Sequence, residues 1–308
     1  MKAITVSDRA AGTSGLTLQD RPYPHAAEND VIVRVHAAGY TTGELAWPGT
    51  WTDRAGRDRT PSIPGHEVAG VVEELGYGTT GLSVGQRVFG VADWTRDGTL
   101  AEFVAVESRN LAPLPADIDF VTAASLPISG LTAWQGLFQH GGLRAGQTVL
   151  ISGAGGGVGT LATQLAREAG AFVIGAGRRG HRDRSIEAGA HEFIDLDAGD
   201  IDQALRVDLL FDVLGGTVGA RLAGSVRPGG TVIAIASPPD VNRSDITTRF
   251  FVVETDRSQL SDLAGRVLSG RLRTFVGEVV TLEDAVAVFS SGTGSPGKTV
   301  VTVAEEDK

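Results

Sequence analysis

Five glycines stand between Ser152 and Thr160, at Gly153, Gly155, Gly156, Gly157 and Gly159. Glycine turns tightly and leaves backbone N–H groups with no Cβ in front of them, so a ligand oxygen can come close. Where such a turn opens a helix, the unpaired N–H groups and the partial positive charge of the helix start suit a phosphate. Ala154, Gly156 and Gly159 give the spacing A-x-G-x-x-G, an imperfect form of the dinucleotide fingerprint G-x-G-x-x-G. On this reading Ala154, Gly155, Gly156, Gly157, Val158 and Gly159 cradle a pyrophosphate. At the end of the next strand, an NAD site places an acidic residue that accepts from the ribose hydroxyls. The chain reads Ala176-Gly-Arg-Arg179 there. A carboxylate would repel a 2′-phosphate, whereas a guanidinium grips it with paired hydrogen bonds. The expected cofactor is NADPH, with Arg178 and Arg179 as the clamp and His181 or Arg182 as helpers.

The elements around these residues supply the setting that such a fingerprint requires. Thr148–Ser152 is a short, β-branched apolar run and reads as a buried strand. Val158, Leu161, Ala162, Leu165, Ala166 and Ala169 recur at helical spacing, with Gly170 as the stop. Ala171–Ala176 is the second strand of a βαβ unit. Beyond it, Arg184–Ala188, Ile201–Arg206 and Val218–Val226 read as helices. Glu192–Asp195, Asp208–Val213 and Thr231–Ala236 read as strands. This alternation predicts a parallel, doubly wound sheet. The first third differs: Lys2–Val6, Leu16–Asp20, Asp30–Ala37, Val68–Leu75, Arg87–Ala92 and Leu100–Val106 are short strand candidates between Pro- and Gly-rich turns. They predict an antiparallel, barrel-like domain. Phe120 to Phe138 reads as helix interrupted near Pro127 and Gly130. After Ser258 come a helix, the strands Phe275–Val280 and Lys298–Val303, and a helix at Leu282–Phe289.

Composition bounds the function. With 308 residues, 42% hydrophobic and 21% charged, the chain can build one large or two ordinary cores. A formal net charge of −10 argues against nucleic acid or an anionic membrane as the main partner. The absence of cysteine excludes disulfides, a thiolate nucleophile and a Cys-built zinc site. No apolar run approaches a membrane span and MKAITVSDRA lacks a signal-peptide core, so a soluble cytoplasmic protein is expected.

Several stretches together carry a resemblance that runs the length of the chain. They are Ala37-Ala-Gly39, Pro64-Gly-His-Glu-Val-Ala-Gly-Val-Val72, Val84-Gly-Gln-Arg-Val-Phe-Gly90, Gly98-Thr-Leu-Ala-Glu-Phe103, Leu126-Pro-Ile-Ser-Gly-Leu-Thr-Ala133 and the Ala154–Gly159 fingerprint. The sequence resembles the medium-chain dehydrogenase/reductase superfamily, and within it the zinc-free quinone oxidoreductase group. The resemblance implies an α/β protein: a GroES-like β-barrel domain over residues 1–117 and 256–308, with a doubly wound Rossmann domain at 118–255 inserted in it. It further implies a cofactor in the cleft between them, and a homodimer formed through the sheet edge near Val232–Val253. It places Thr132 near the nicotinamide or pyrophosphate. Leu214-Gly-Gly216 follows a strand at the carboxyl ends of the sheet, where nucleotides bind, so Gly215 or Gly216 is expected near the ribose. Ala236 and Ser237, ending the next strand, are expected to present backbone groups to the carboxamide. Phe251 then belongs to a segment running past the nicotinamide, and Lys298, at the Gly-Lys start of the last strand, is expected to contact the cofactor.

The informative departure concerns metal. His66 matches the motif that supplies a zinc-ligand histidine in the family's alcohol dehydrogenases, but the cysteine position holds Thr41 and the third falls near Ile128. Catalytic zinc needs three protein ligands and an open fourth position, so no metal is expected. His66 is expected instead to be a satisfied polar residue with Glu67 as its hydrogen-bond partner. Without zinc, the favoured substrates accept hydride at carbon with little help: quinones, or carbonyl-conjugated enones and enals. The resemblance puts Tyr40, Thr41, Glu44 and Trp47 around that substrate, with Thr41, Tyr40 or a water as the oxyanion donor. The charged loop Thr52–Arg59 reads as solvated, or as a lid. Alternative readings are a zinc-independent enoyl or carbonyl reductase of specialised metabolism, a zinc alcohol dehydrogenase, and an NADPH-binding redox sensor with little turnover.

Overall fold

The computed structural model describes residues 1–304 apart from 42, 200, 203 and 293–296. In chain order its strands and helices are β1 (Lys2–Val6), β2 (Leu16–Asp20), β3 (Asp30–Tyr40), α1 (Pro48–Trp51), β4 (Glu67–Leu75), β5 (Arg87–Val91), β6 (Phe103–Glu107) and β7 (Leu111–Pro113). Then follow α2 (Phe120–Ala124), α3 (Pro127–Trp134), β8 (Thr148–Ser152), α4 (Gly157–Glu168), β9 (Phe172–Gly177), α5 (Arg182–Glu187), β10 (Glu192–Asp195), β11 (Val207–Asp212) and α6 (Gly216–Ala223). The chain closes with β12 (Val226–Ala234), β13 (Thr247–Phe250), α7 (Arg257–Leu268), β14 (Val276–Thr281), α8 (Leu282–Ser291) and β15 (Lys298–Thr302). It divides into two compact units: Met1–Ile128 with Thr255–Arg271 and Phe275–Lys308, and Ser129–Glu254 with Leu272–Thr274.

In the first unit a sheet runs β14-β15-β3-β4-β5-β7, with β6 also on β3. All its pairs are antiparallel except β14–β15. β3 continues three residues beyond the expected Ala37 because one of its edges is shared. Asp30–Arg34 pair with β6, and Ala37–Tyr40 pair with β15. Neither half is left with unpaired backbone groups, so the strand can run on. Its side chains Val31, Val33 and Val35 join Val68, Val88, Val104 and Leu111 in the unit's core. The sequence between Phe120 and Phe138 breaks once, at Ser125–Leu126. Pro127 then opens α3, where its missing N–H costs nothing. Gly130 does not interrupt α3, because a single interior glycine costs only about 1 kcal/mol. A π-helical turn, Gln135–His140, follows it.

The second unit holds a six-stranded sheet in the order β10-β9-β8-β11-β12-β13, with every neighbouring pair parallel. This is the doubly wound order 3-2-1-4-5-6, which reverses between β8 and β11 and binds ligands at that switch point. Of the face expected for α4, Leu161, Ala162, Leu165 and Ala166 are buried, whereas Val158 and Ala169 at its two ends are half-exposed. The helix expected at Ile201–Arg206 is not formed. Asp202 closes a single turn instead, accepting from Ala204 N–H through its side chain and from Leu205 N–H through its carbonyl; Gln203 lies outside the described residues. Short polar side chains compete with the helix in this way.

Candidate active site

In the second unit, the carboxyl ends of β8 and β11 are tied by one network. Ser152 Oγ donates to Asp212 Oδ1 at 2.7 Å and accepts from the N–H groups of Val213 and Leu214 at 2.8 and 3.1 Å. Asp212 Oδ1 also accepts from Gly215 N–H at 3.0 Å. Both side chains are buried, and together they fix the turn 213–215. Gly215 sits beside Ala236 and Ser237: a Cβ on it would meet their side chains at 3.1 Å. Four of the predicted cofactor residues, Leu214, Gly215, Ala236 and Ser237, are thereby gathered at the strand ends. Sequence reasoning missed Ser152 and Asp212; a serine and an aspartate ending two strands was the available signal.

The glycine turn begins with Gly153 at φ +63° and delivers Gly156 as the N-cap of α4. Ala154 and Gly159 are buried, whereas Gly156, Gly157 and Val158 are half-exposed on the open side. Gly159 is fixed by a close approach: a Cβ there would lie 2.1 Å from Gly153 O and 2.7 Å from Ala154 Cα. Gly155 packs on His181, and Gly157 faces Ser129, one helical turn from the buried Thr132. Phe251 is buried with its ring 4.4 Å from that of His140. Beyond β9, Arg178 and Arg179 are both exposed. Arg179 Nε donates to Asp195 at 2.9 Å, while the Arg178 guanidinium makes no ion pair or hydrogen bond among the described residues. His181 is turned to the glycine turn, and Arg182 lies 3.9 Å from Asp183.

In the first unit, strand register builds the second cluster. Tyr40 pairs with Thr299 and Gly39 with Glu67, so Lys298 and Glu67 flank Thr41 from the two strands beside β3. Lys298 Nζ donates to Thr41 Oγ1 at 2.8 Å and forms an ion pair with Glu67 Oε2. Thr41 Oγ1 lies 3.4 Å from the same Glu67 oxygen. Glu67 Oε1 accepts from Ile128 N–H at 2.9 Å, in the first turn of α3, where helix polarity favours an anion. The carboxylate fits only because residue 39 is glycine: a Cβ would stand 2.8 Å from Glu67 Oε2 and 2.4 Å from Ala124 O. Lys298, buried at 7% exposure, therefore spends its ammonium on Glu67 and Thr41, not on a free phosphate contact.

Glu44 is fully buried and accepts from Thr41 N–H at 3.2 Å and Gly65 N–H at 2.7 Å. Burial pushes its carboxyl up to about 8, against the pull of those N–H groups and of Lys298, so it is protonated at neutral pH. Tyr40 is a core residue, stacked on Phe289 with centroids 4.1 Å apart; burial and Glu44 hold its phenol in the neutral form. Trp47 is half-buried, stacked on His66 at 5.6 Å and edge-on to Trp94 at 5.2 Å. The expected His66–Glu67 hydrogen bond is absent, because Glu67 is engaged by Lys298 and Ile128. Both ring nitrogens of His66 lack partners among the described residues, at 1% exposure. Burial pulls the imidazole down to about 3, with Arg59 adding to the effect. The loop 52–59 is tied down by charge pairs: Arg57 to Asp53, Arg54 to Asp93 and Arg59 to Asp97.

Residues 27–116 match the alcohol dehydrogenase GroES-like domain, and residues 188–301 match the zinc-binding dehydrogenase domain. The quinone oxidoreductase of Sus scrofa is 30% identical, over 97% of this chain and 96% of its own. A probable zinc-binding oxidoreductase, mitochondrial, of Arthroderma benhamiae is 30% identical, over 87% of this chain and 86% of its own. The solved quinone oxidoreductase of Coxiella burnetii superposes with a TM-score of 0.89 at 26% identity, over 99% of each chain. The chain belongs to the medium-chain dehydrogenase/reductase superfamily, in its quinone oxidoreductase group. The GroES-like and Rossmann folds expected of that family are the folds of its two units.

Because one matched domain takes its name from zinc, the donors of this medium-chain dehydrogenase/reductase bear on its chemistry. The three positions where the resemblance would seat a catalytic zinc hold Thr41, His66 and Ile128. Thr41 faces an ammonium, which repels a cation, and Ile128 has no side-chain donor. Among the described residues no three His, Cys, Asp or Glu side chains group to hold a metal. The residues present do not fit zinc. They do fit a dinucleotide, since the turn closed by Gly159 leaves Gly156 and Gly157 half-exposed at the start of α4 with no Cβ of their own. No helix among the described residues is long and apolar enough to cross a membrane.

Proposed function

We propose that the chain is an NADPH-dependent reductase that transfers hydride to a quinone or an α,β-unsaturated carbonyl without a metal. The observation that carries the reading is the hydroxyl–ammonium–carboxylate set of Thr41, Lys298 and Glu67, standing where metal catalysis would need ligands. The bound dinucleotide supplies the hydride. With no metal to polarise an alcohol or ketone oxygen, the chain is left with hydrogen bonds as its electrophile. These suffice for acceptors whose charge is delocalised as it forms. Trp47, stacked on His66 and half-exposed, offers a flat apolar face to a planar acceptor. The guanidinium of Arg178 after β9, unpaired among the described residues, favours a 2′-phosphate, and Arg179 shares its charge with Asp195. A homodimer through the exposed edge strand β13 accompanies this reading.

The test is NADPH oxidation by the purified, metal-stripped protein with 1,4-naphthoquinone and with a short enal, against NADH. Turnover with NADPH and full activity after chelation are expected. Exchanging Arg178 for Ala should raise the KM for NADPH on the order of 10- to 100-fold, the worth of one charge-assisted hydrogen bond, and leave that for NADH unchanged. Equal effects on both cofactors, or activity that returns only with a divalent ion, would remove the reading.

A further inference from the structure

We infer that Lys298 is the proton source of the reaction, acting through the hydroxyl of Thr41. The inference rests on the reductase reading above and assigns a direction and a donor that the reading left open.

Donor and acceptor accounting sets the direction. A lysine ammonium has three protons and no acceptor, so in the 2.8 Å contact Lys298 Nζ donates and Thr41 Oγ1 accepts. The hydroxyl's own proton is then free to point elsewhere. Its competing acceptor within the protein is Glu67 Oε2, at a long 3.4 Å and already paired with Lys298. A substrate oxygen is the stronger partner for that proton. Thr41 is partly exposed, while Tyr40 is taken up by the core. Of the donors considered, Thr41 alone is both reachable and backed by a charge. Glu67 in turn is held by Ile128 N–H, so the ammonium cannot swing away. Glu44 is the remaining ionisable group beside this set; its oxygens are occupied by two backbone N–H groups.

The acceptor carbon gains a hydride from the reduced nicotinamide, and the electron pair of the conjugated system moves to oxygen. That oxygen takes the Thr41 hydroxyl proton as the Lys298 proton passes to Thr41 Oγ1. Lys298, left as a neutral amine, recovers its proton from solvent. The sum is one hydride and one proton added to the acceptor. An enal gives an enolate with no compensating gain in aromaticity, so its formation leans on this proton; the enol so formed tautomerises to the saturated aldehyde in solvent. A quinone becomes aromatic as it accepts the hydride, and leans on the proton less.

Lys298→Arg is the discriminating variant, because a guanidinium keeps the charge and the hydrogen bond but does not give up a proton near neutrality. Expected is a loss in kcat for a short enal on the order of 10²-fold, the scale of general-acid catalysis. The kcat for 1,4-naphthoquinone, which uses the same hydrogen bond as its electrophile, should fall by a few-fold only, and the NADPH dissociation constant, read by fluorescence, should stay close to wild type. Thr41→Val should reproduce the enal-selective loss and Thr41→Ser should restore it; this pair carries the test if Lys298→Arg does not fold. Equal losses on both acceptors, or no loss on either, overturn the relay while leaving the reductase reading intact. A wild type inactive on both acceptors removes the reductase reading, and the relay with it.

Discussion

Replacing Glu44 with Gln should tilt the dependence of stability on pH. In the unfolded chain a glutamate titrates near 4.3, and in the fold burial raises Glu44 to about 8. Between those values the folded state holds one proton more than the unfolded state. The stability contributed by the neutral carboxyl is therefore complete below about pH 4 and declines as pH rises, by about 1.4 kcal/mol per unit. By pH 8 the loss amounts to roughly 5 kcal/mol. The groups facing the carboxyl are Lys298, which opposes this rise, and Glu67, which adds to it; Tyr40 stays neutral throughout. Gln has no proton to lose, but it offers one oxygen to the two N–H groups of Thr41 and Gly65, at a cost of about 1–3 kcal/mol for the group left unpaired. The variant should thus be less stable than wild type at pH 5, equal to it near pH 6, and more stable by roughly 2 kcal/mol or more at pH 8.5. Urea midpoints for both proteins, at fixed ionic strength from pH 5 to 9, measure this difference directly. Parallel curves would show that Glu44 does not titrate in the fold as its burial requires.

His66 should give the opposite slope: its imidazole lies near 3 in the fold against about 6.5 unfolded, so stability is full above pH 6.5 and falls toward pH 3. His66→Phe should flatten that acid limb and melt several degrees above wild type at pH 4.5; an unchanged acid limb counts against a buried neutral ring. Gly159→Ala drives a methyl group to 2.1 Å from Gly153 O, and should cost about 1–3 kcal/mol together with much of the NADPH affinity; wild-type affinity in calorimetry would contradict the close approach. Ser152→Ala strips the hydroxyl shared by Asp212, Val213 and Leu214. Thermal melts should register a loss of about 1–3 kcal/mol, and none would mean that the turn holds without it.

The parallel half of the fold was legible because its signals are local. A glycine turn between an apolar run and a helical stripe specifies its geometry within thirty-two residues, Thr148 to Arg179. The Ile201–Arg206 segment misled because an Asp side chain competes with the helix for the same backbone, a contest that propensity alone does not settle. Thr41 and Lys298 were each visible as residues. Their meeting was not, since it depends on which strand lies beside β3 and in what register. His66 was misread for a related reason: its neighbour in sequence, Glu67, is claimed by partners from β15 and α3.

The split edge of β3 also has a bearing on how the protein is made. Thr41 and Lys298 are 257 residues apart, and contacts of such separation form late because a long loop must close first. A nascent chain that has not yet released β15 from the ribosome carries Glu67 without its counter-ion and leaves Ala37–Tyr40 as an open strand edge, a surface prone to mispairing. The counter-ion of Glu67 and protection from aggregation therefore arrive in the same event, the docking of β15.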